Sequence, residues 1–186
     1  MTRSKQSKSM CGIGVVVLLL ASTALLWPGD PAGAIPLESW DNKIPNARDR
    51  FKVLSDFGDQ AVLDKETGLV WERTLRGIFP WGLARVACTS STVGNRQGWR
   101  LPSVHELSSL VDPSQGIFQT GTVALPPGHP FINIPPTAFW SATFDVEHPG
   151  AVWTVGFASA GASSTTELAT GVPTWCVRGP SDAHSY

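Results

Sequence analysis

The sequence predicts an α+β domain in which two helices share one face of a mostly antiparallel sheet. Three observations carry this expectation. A hairpin-like pair of apolar runs comes first, two short segments with helix start and stop signals follow, and strand-like runs close the chain. The chain has 186 residues, 42% apolar and 16% charged. That is one domain's length, with too much apolar content for a disordered chain. A formal charge of -1 excludes a general nucleic-acid binder, which carries a basic stripe.

The N-terminus reads as a leader. Arg3, Lys5 and Lys8 precede the uncharged run Ile13–Leu26, and Ala32-Gly33-Ala34 follows as a small-residue cleavage site. The expectation is a signal peptide over residues 1–34, cut after Ala34, and therefore an exported protein, periplasmic or extracellular. An uncleaved membrane anchor is the open alternative, because the uncharged run from Met10 to Pro28 reaches the short end of a bilayer span. Cleavage leaves 152 residues. Losing Arg3, Lys5, Lys8 and Asp30 takes 14 Lys+Arg to 11 and 15 Asp+Glu to 14, a net charge of -3.

Residues 35–58 read as a polar, irregular N-terminal arm with Pro36 and Pro45. From Ala61 to Arg73 two apolar runs flank Asp64-Lys65-Glu66-Thr67-Gly68, and Gly68 supplies the positive φ of a hairpin turn. Phe79-Pro80-Trp81 opens a helix with Leu83, Ala84, Ala87 and Cys88 on one face, which gives out in Thr89–Thr92. A second helix starts at Ser103. Ser103 and Glu106 have the spacing of a capping box, and Asp112-Pro113 ends the segment. Residues 114–137 form a long loop with five prolines, of the length that is usually functional. Strand-like runs follow at Phe139–Phe144, Val152–Phe157 and Val172–Arg178.

After cleavage Cys88 and Cys176 remain, and two cysteines in an oxidising compartment are most simply paired, two buried thiols being the alternative. A bridge would close a loop of about ninety residues, for which chain entropy gives about 4–5 kcal/mol.

Four blocks stand in order: Val62-Leu63-Asp64 with Thr67-Gly68-Leu69-Val70-Trp71, then Trp99-Arg100-Leu101-Pro102 with Glu106-Leu107, then Phe139-Trp140-Ser141, then Cys176-Val177-Arg178. Together they resemble the Lcl C-terminal domain family, named after a bacterial collagen-like adhesin and long carried as a domain of unknown function. The resemblance covers residues 60–179 and divides the chain into the leader, the arm, a domain over 59–180 and a tail over 181–186. It implies a variant of the C-type lectin-like fold and a Cys88–Cys176 bridge from first helix to last strand. It marks Asp64, Gly68, Trp71, Trp99, Arg100, Pro102, Ser103, Glu106, Trp140, Ser141 and Arg178 as motif positions. In the namesake the domain trimerises and binds sulfated glycosaminoglycans. Here there is no Gly-X-Y stalk, Trp175 stands where an arginine commonly precedes the last cysteine, and the mature charge is -3, all of which weaken transfer of that activity.

Candidate chemistry is sparse. Arg100 and Glu106 are the most site-like pair, although the capping spacing already accounts for Glu106. His105 lacks a partner at metal-ligand spacing. Asp145, Glu147 and His148 have metal-ligand chemistry but read better as a solvated hairpin turn. No nucleophile elbow or phosphate loop is present. The reading is non-enzymatic, with no catalytic residue, metal or cofactor expected. Of the eight tryptophans, Trp71, Trp99, Trp140 and Trp153 read as core. Trp40, Trp81 and Trp175 remain open, with Trp81 and Trp175 the expected ligand contacts. The expected function is an exported binding or adhesion module that engages a surface glycan or a protein partner through its loops, without nucleic acid and without a membrane once the leader is removed. A self-associating envelope protein, as a homo-oligomer, and an uncharacterised enzyme are the alternatives.

Overall fold

The computed structural model describes residues 44–116 and 121–179. The expected leader, residues 35–43 of the expected arm with Trp40, and the tail 181–186 lie outside the described residues. The arm's described part is not irregular. Helix α1 (Ala47–Arg50) starts at Asn46, whose side chain accepts the Arg48 N–H, and runs directly into β1 (Phe51–Val53). Ala47 and Phe51 are buried; Arg48, Asp49, Arg50 and Lys52 hide these two anchors from a composition-based reading.

In chain order there follow β2 (Ala61–Asp64), β3 (Val70–Glu72), β4 (Gly77–Phe79), α2 (Trp81–Thr89), α3 (Val104–Ser109) and the short α4 (Pro113–Gly116). The last strands are β5 (Ala138–Phe144), β6 (Val152–Gly156), β7 (Gly161–Thr165), β8 (Val172–Thr174) and β9 (Val177–Arg178). They form three sheets, ordered β1-β2-β3-β9, β4-β8 and β5-β6-β7. Every strand pair is antiparallel. The protein is a mixed α+β domain, as the element order predicts.

The hairpin β2–β3 turns where the sequence places it. The Asp64 carboxylate accepts the Glu66 N–H and the Thr67 hydroxyl, each at 3.0 Å, and Gly68 has φ +72°. Arg50, buried, grips the same carboxylate through Nε at 2.8 Å and Nη2 at 2.7 Å, and donates to the Ser109 carbonyl at 2.9 Å. Such a pair adds little net stability, yet losing one partner leaves a buried charge at about 3–5 kcal/mol. It therefore locks α1, the hairpin and α3 in one arrangement.

Cys88 on α2 is bonded to Cys176, with Cα atoms 5.4 Å apart. Trp81, Ala84 and Cys88 form the inward face of α2, whereas Leu83 is 58% exposed. That corrects Leu83's expected place beside Cys88. The expected last strand is two strands: β8 pairs with β4 and β9 with β3, so the chain changes sheets at Trp175-Cys176. Propensity hid β4 and β7. Strand β7 reads Gly-Ala-Ser-Ser-Thr and holds its form on the ladder supplied by β6.

A register shift in β5 between Trp140 and Phe144 frees backbone groups for other work. The Ala142 N–H donates to the Pro102 carbonyl at 2.7 Å, and the Ser141 carbonyl accepts the Trp81 indole N–H at 2.9 Å. Two apolar clusters result. One surrounds Trp71, Trp175, Phe131, Phe139 and Phe157; the other surrounds the disulfide with Trp81, Trp99 and Trp140. The described part of the Pro-rich loop is fixed to the first cluster, with Ala124, Leu125 and Phe131 buried. Among the described residues no helix is long and apolar enough to cross a membrane.

Candidate functional site

The capping box forms as its spacing predicts: the Ser103 hydroxyl accepts the Glu106 N–H at 3.2 Å, and the Glu106 carboxylate accepts the Ser103 N–H at 2.7 Å. Arg100 adds a bidentate pair to the same carboxylate, at 2.7 Å and 2.5 Å. Arg100 is brought there by a two-bond bridge between its backbone and that of Val177, at 2.8 and 2.9 Å. This pairing explains why the Trp99–Pro102 and Cys176–Arg178 blocks occur together. Arg178 Nε donates to the Gln97 carbonyl at 2.7 Å, and the Trp99 indole donates to the Val93 carbonyl at 3.3 Å. These motif residues hold one another, and Glu106 spends its oxygens within the fold.

Neither expected tryptophan contact survives as an open platform. Trp175 is fully buried, its indole N–H donating to the Glu72 carbonyl at 2.6 Å and its rings packed against Trp71, Phe131, Phe139 and Phe157. An indole inserted in a core cannot stack on a sugar. Trp81 is only 9% exposed, and its ring already carries the Arg85 guanidinium at 5.0 Å and the Phe144 ring at 5.2 Å. The loop 121–137 is likewise built into the domain. The Arg73 carbonyl accepts the Ile132 N–H, and Arg73 Nε donates to the Pro130 carbonyl at 3.0 Å.

Asp145 braces the β5–β6 turn: its carboxylate accepts the Glu147 N–H at 3.0 Å and lies 2.8 Å from His148 Nδ1. The Ser164 hydroxyl, on β7, and then His148 hold this carboxyl below the usual aspartate range. Among the described residues no group of three or more His, Cys, Asp or Glu side chains is placed to hold a metal ion.

Among the described residues, a concave polar site that meets a desolvated carboxylate lies at Glu72. Glu72 ends β3 beside Trp71. Its backbone N–H donates to the Cys176 carbonyl at 3.0 Å, and its carboxylate accepts the Ser91 hydroxyl at 2.6 Å, with Arg76 Nη1 at 3.6 Å. Ser91 is in place because its N–H caps the Cys88 carbonyl at 3.0 Å, so the disulfide fixes both sides of the carboxylate. Burial pushes the Glu72 carboxyl above its ordinary value, against the smaller opposing pulls of Ser91 and Arg76. Glu72 opens on a cleft of about 350 Å³ whose polar lining includes Asp59, Gln60, Arg73, Thr74 and Arg76, against apolar Leu75, Val93 and Ile132. Arg73 is held by two neutral carbonyls, those of Pro130 and Asp59, and has no carboxylate within ion-pair distance among the described residues. Fixed donors and acceptors thus converge on a cleft of the size that takes a small ligand group. The period-2 pattern of β3 points Trp71 and Glu72 to opposite faces and marks Glu72 as solvated; the Ser91 and Cys176 partners that bury it come from remote sequence.

A disulfide-braced α+β domain with interlocked Trp-Arg-Leu-Pro and Cys-Val-Arg segments defines the class. Residues 60–178, more than half of the chain, match the Lcl C-terminal domain family, and the protein belongs to that family. No curated protein matches the chain.

Proposed function

We propose that the protein is an exported, non-enzymatic binding module on a C-type lectin-like scaffold, of the adhesion kind, and that it takes a surface glycan or a protein partner in the Glu72 cleft. The convergence of Glu72, Arg73, Arg76 and Gln60 on one cleft carries this reading. Pre-placed donors and acceptors with an apolar wall suit recognition of hydroxyl-rich or amide-rich groups. Arg73 supports it further, since a guanidinium fixed by carbonyls keeps hydrogen-bonding capacity for a ligand. Of the loop expected to engage the ligand, residues 114–137, Ile132 lines the cleft, beside the segment that follows β3.

A panel of glycans, cell-envelope polymers and candidate proteins, titrated against the full chain, tests this. The expected result is saturable binding that weakens at least about tenfold in Arg76→Ala, the size of one lost charged hydrogen bond. A ligand bound equally well by Arg76→Ala and Glu72→Gln would place the site elsewhere, and no saturable ligand would count against the module itself.

A further inference from the structure

Resting on the reading of the Glu72 cleft as a binding site, we propose that its occupant is the C-terminus of a protein partner ending in an aliphatic residue. The terminal carboxylate takes Arg76 from Glu72, and Glu72 gains a proton. The cations of the cleft have hydrogen-bonding capacity to spare. The Arg76 guanidinium makes no hydrogen bond among the described residues, and Glu72, at 3.6 Å, is its ion-pair partner there. Its backbone is nonetheless fixed, the N–H donating to the Thr174 carbonyl at 3.0 Å. Arg73 is anchored through Nε and Nη1 and has no partner for Nη2 among the described residues. Planar forks with free N–H groups fit a carboxylate, which accepts two parallel bonds from one guanidinium.

Charge and shape narrow the occupant further. Asp59 also lines the cleft, so with Glu72 neutral the two arginines leave one positive charge, which a singly charged group balances. The apolar wall of Leu75, Val93 and Ile132 is aliphatic, and no aromatic ring lines the cleft. A sugar ring finds no stacking face here, whereas an aliphatic side chain packs on the wall. At a chain end, carboxylate, side chain and N–H belong to one residue, which can use the arginines, the wall and the Gln60 or Asp59 acceptor together. Backbone strain frames the same place. Of the four non-glycine residues with positive φ among those described, Asp59 (+59°) lines the cleft, Asn133 (+55°) follows Ile132, and Asn95 (+55°) stands two residues after Val93. Such conformations persist where the surroundings hold them, and they cluster at ligand clamps.

The proton follows from the geometry. Glu72 is buried and accepts the Ser91 hydroxyl at 2.6 Å, a bond that a neutral carboxyl keeps. A second carboxylate on Arg76 sets two like charges on one cation in a desolvated site, so Glu72 takes a proton from solvent. The burial that already raises its carboxyl acts in the same direction. Asp59, Arg73 and Arg76 are the other charged groups lining the cleft.

The test is an amide chemical-shift titration of the full chain, from about pH 5 to about pH 8, with N-acetyl-Ala-Ala-Val, its C-terminal amide and glucuronic acid. The free peptide acid is expected to bind saturably, and at least about tenfold more weakly as the amide or in Arg76→Ala. Its affinity should hold below the folded value of the Glu72 carboxyl and fall above it, by up to about tenfold per pH unit, while Glu72→Gln shows no such fall. An amide bound as well as the acid overturns the proposal, and so does a preference for glucuronic acid; either leaves the cleft as a binding site for another group. A fall that persists in Glu72→Gln and vanishes in Asp59→Asn moves the proton to Asp59 and equally overturns it. Absence of binding by the peptide acid overturns it too, and the broader reading then stands or falls on whether a panel ligand is weakened by Arg76→Ala.

Discussion

Glu106 and Glu72 are buried to nearly the same degree, 3% and 2% exposed, but they live differently. Glu106 accepts both prongs of Arg100 and the Ser103 N–H, so its two oxygens are consumed by the helix start they organise. Glu72 has one hydroxyl donor at 2.6 Å and a guanidinium nitrogen no nearer than 3.6 Å, and it sits at a cleft. A carboxylate answered fully by its own chain stabilises a fold and has nothing left for a ligand. One that is desolvated without full compensation weakens the fold slightly and keeps binding capacity.

Opening the disulfide breaks the comparison most severely. Replacing Cys88 and Cys176 with Ala is expected to cost about 4 kcal/mol in denaturant unfolding. The same change unties Ser91 and the Cys176 segment from Glu72, so its carboxyl, followed by carbon-detected NMR titration, should move back toward the ordinary 4.5. A Glu72 titration unchanged in the double variant would mean that the bridge does not organise the cleft.

Next in size is Glu106→Gln. The amide keeps the shape but leaves Arg100 without its counter-ion; with Arg100 23% exposed, the loss should fall near about 3 kcal/mol, the low end for a broken buried pair. Equal destabilisation by Glu106→Gln and Glu72→Gln would erase the distinction between the two sites.

Glu72→Gln should instead change stability by less than about 1 kcal/mol near neutral pH, and its signature is in the pH profile. A raised carboxyl binds its proton more tightly folded than unfolded. Stability of the wild type therefore declines as pH rises from 4.5 toward the folded value, and the variant should lose that part of the slope. Chemical unfolding across this window measures it, and a parallel decline in both proteins would remove Glu72 as the source.

The two carboxylates also differ in how they can be read. Glu106 was legible because a capping box is local: Ser103, Glu106 and the helix between them fit in four residues. The turn at Asp64–Gly68, the helix carrying Cys88 and the bridge to Cys176 were legible for related reasons of spacing and cysteine economy. Glu72 was not, because burying it takes Ser91 and Cys176 from distant segments. Arg50 was missed similarly, being a charge in an apparently polar arm whose partner Asp64 is 14 residues on, at the end of the neighbouring strand β2. Trp175 read as less constrained than the patterned tryptophans and so stayed open to a ligand role. Its place where the chain changes sheets turns it into the centre of the aromatic cluster.

Asp145 sharpens the comparison at its smallest scale, because its environment has the opposite sign to that of Glu72. The Ser164 hydroxyl and His148 stabilise the charged carboxylate and hold its pKa below the ordinary 3.8. That stabilisation is present above the ordinary value and disappears as pH falls through the lowered one. Asp145→Asn should therefore leave a small decrease in thermal midpoint at neutral pH and a shallower loss on acidification. Since Ser164 belongs to β7, its amide and those of its neighbours should also exchange faster in the variant, while β5 and β6 keep their protection. If exchange rises equally across β5, β6 and β7, Asp145 supports the hairpin as a whole and does not pin the edge strand.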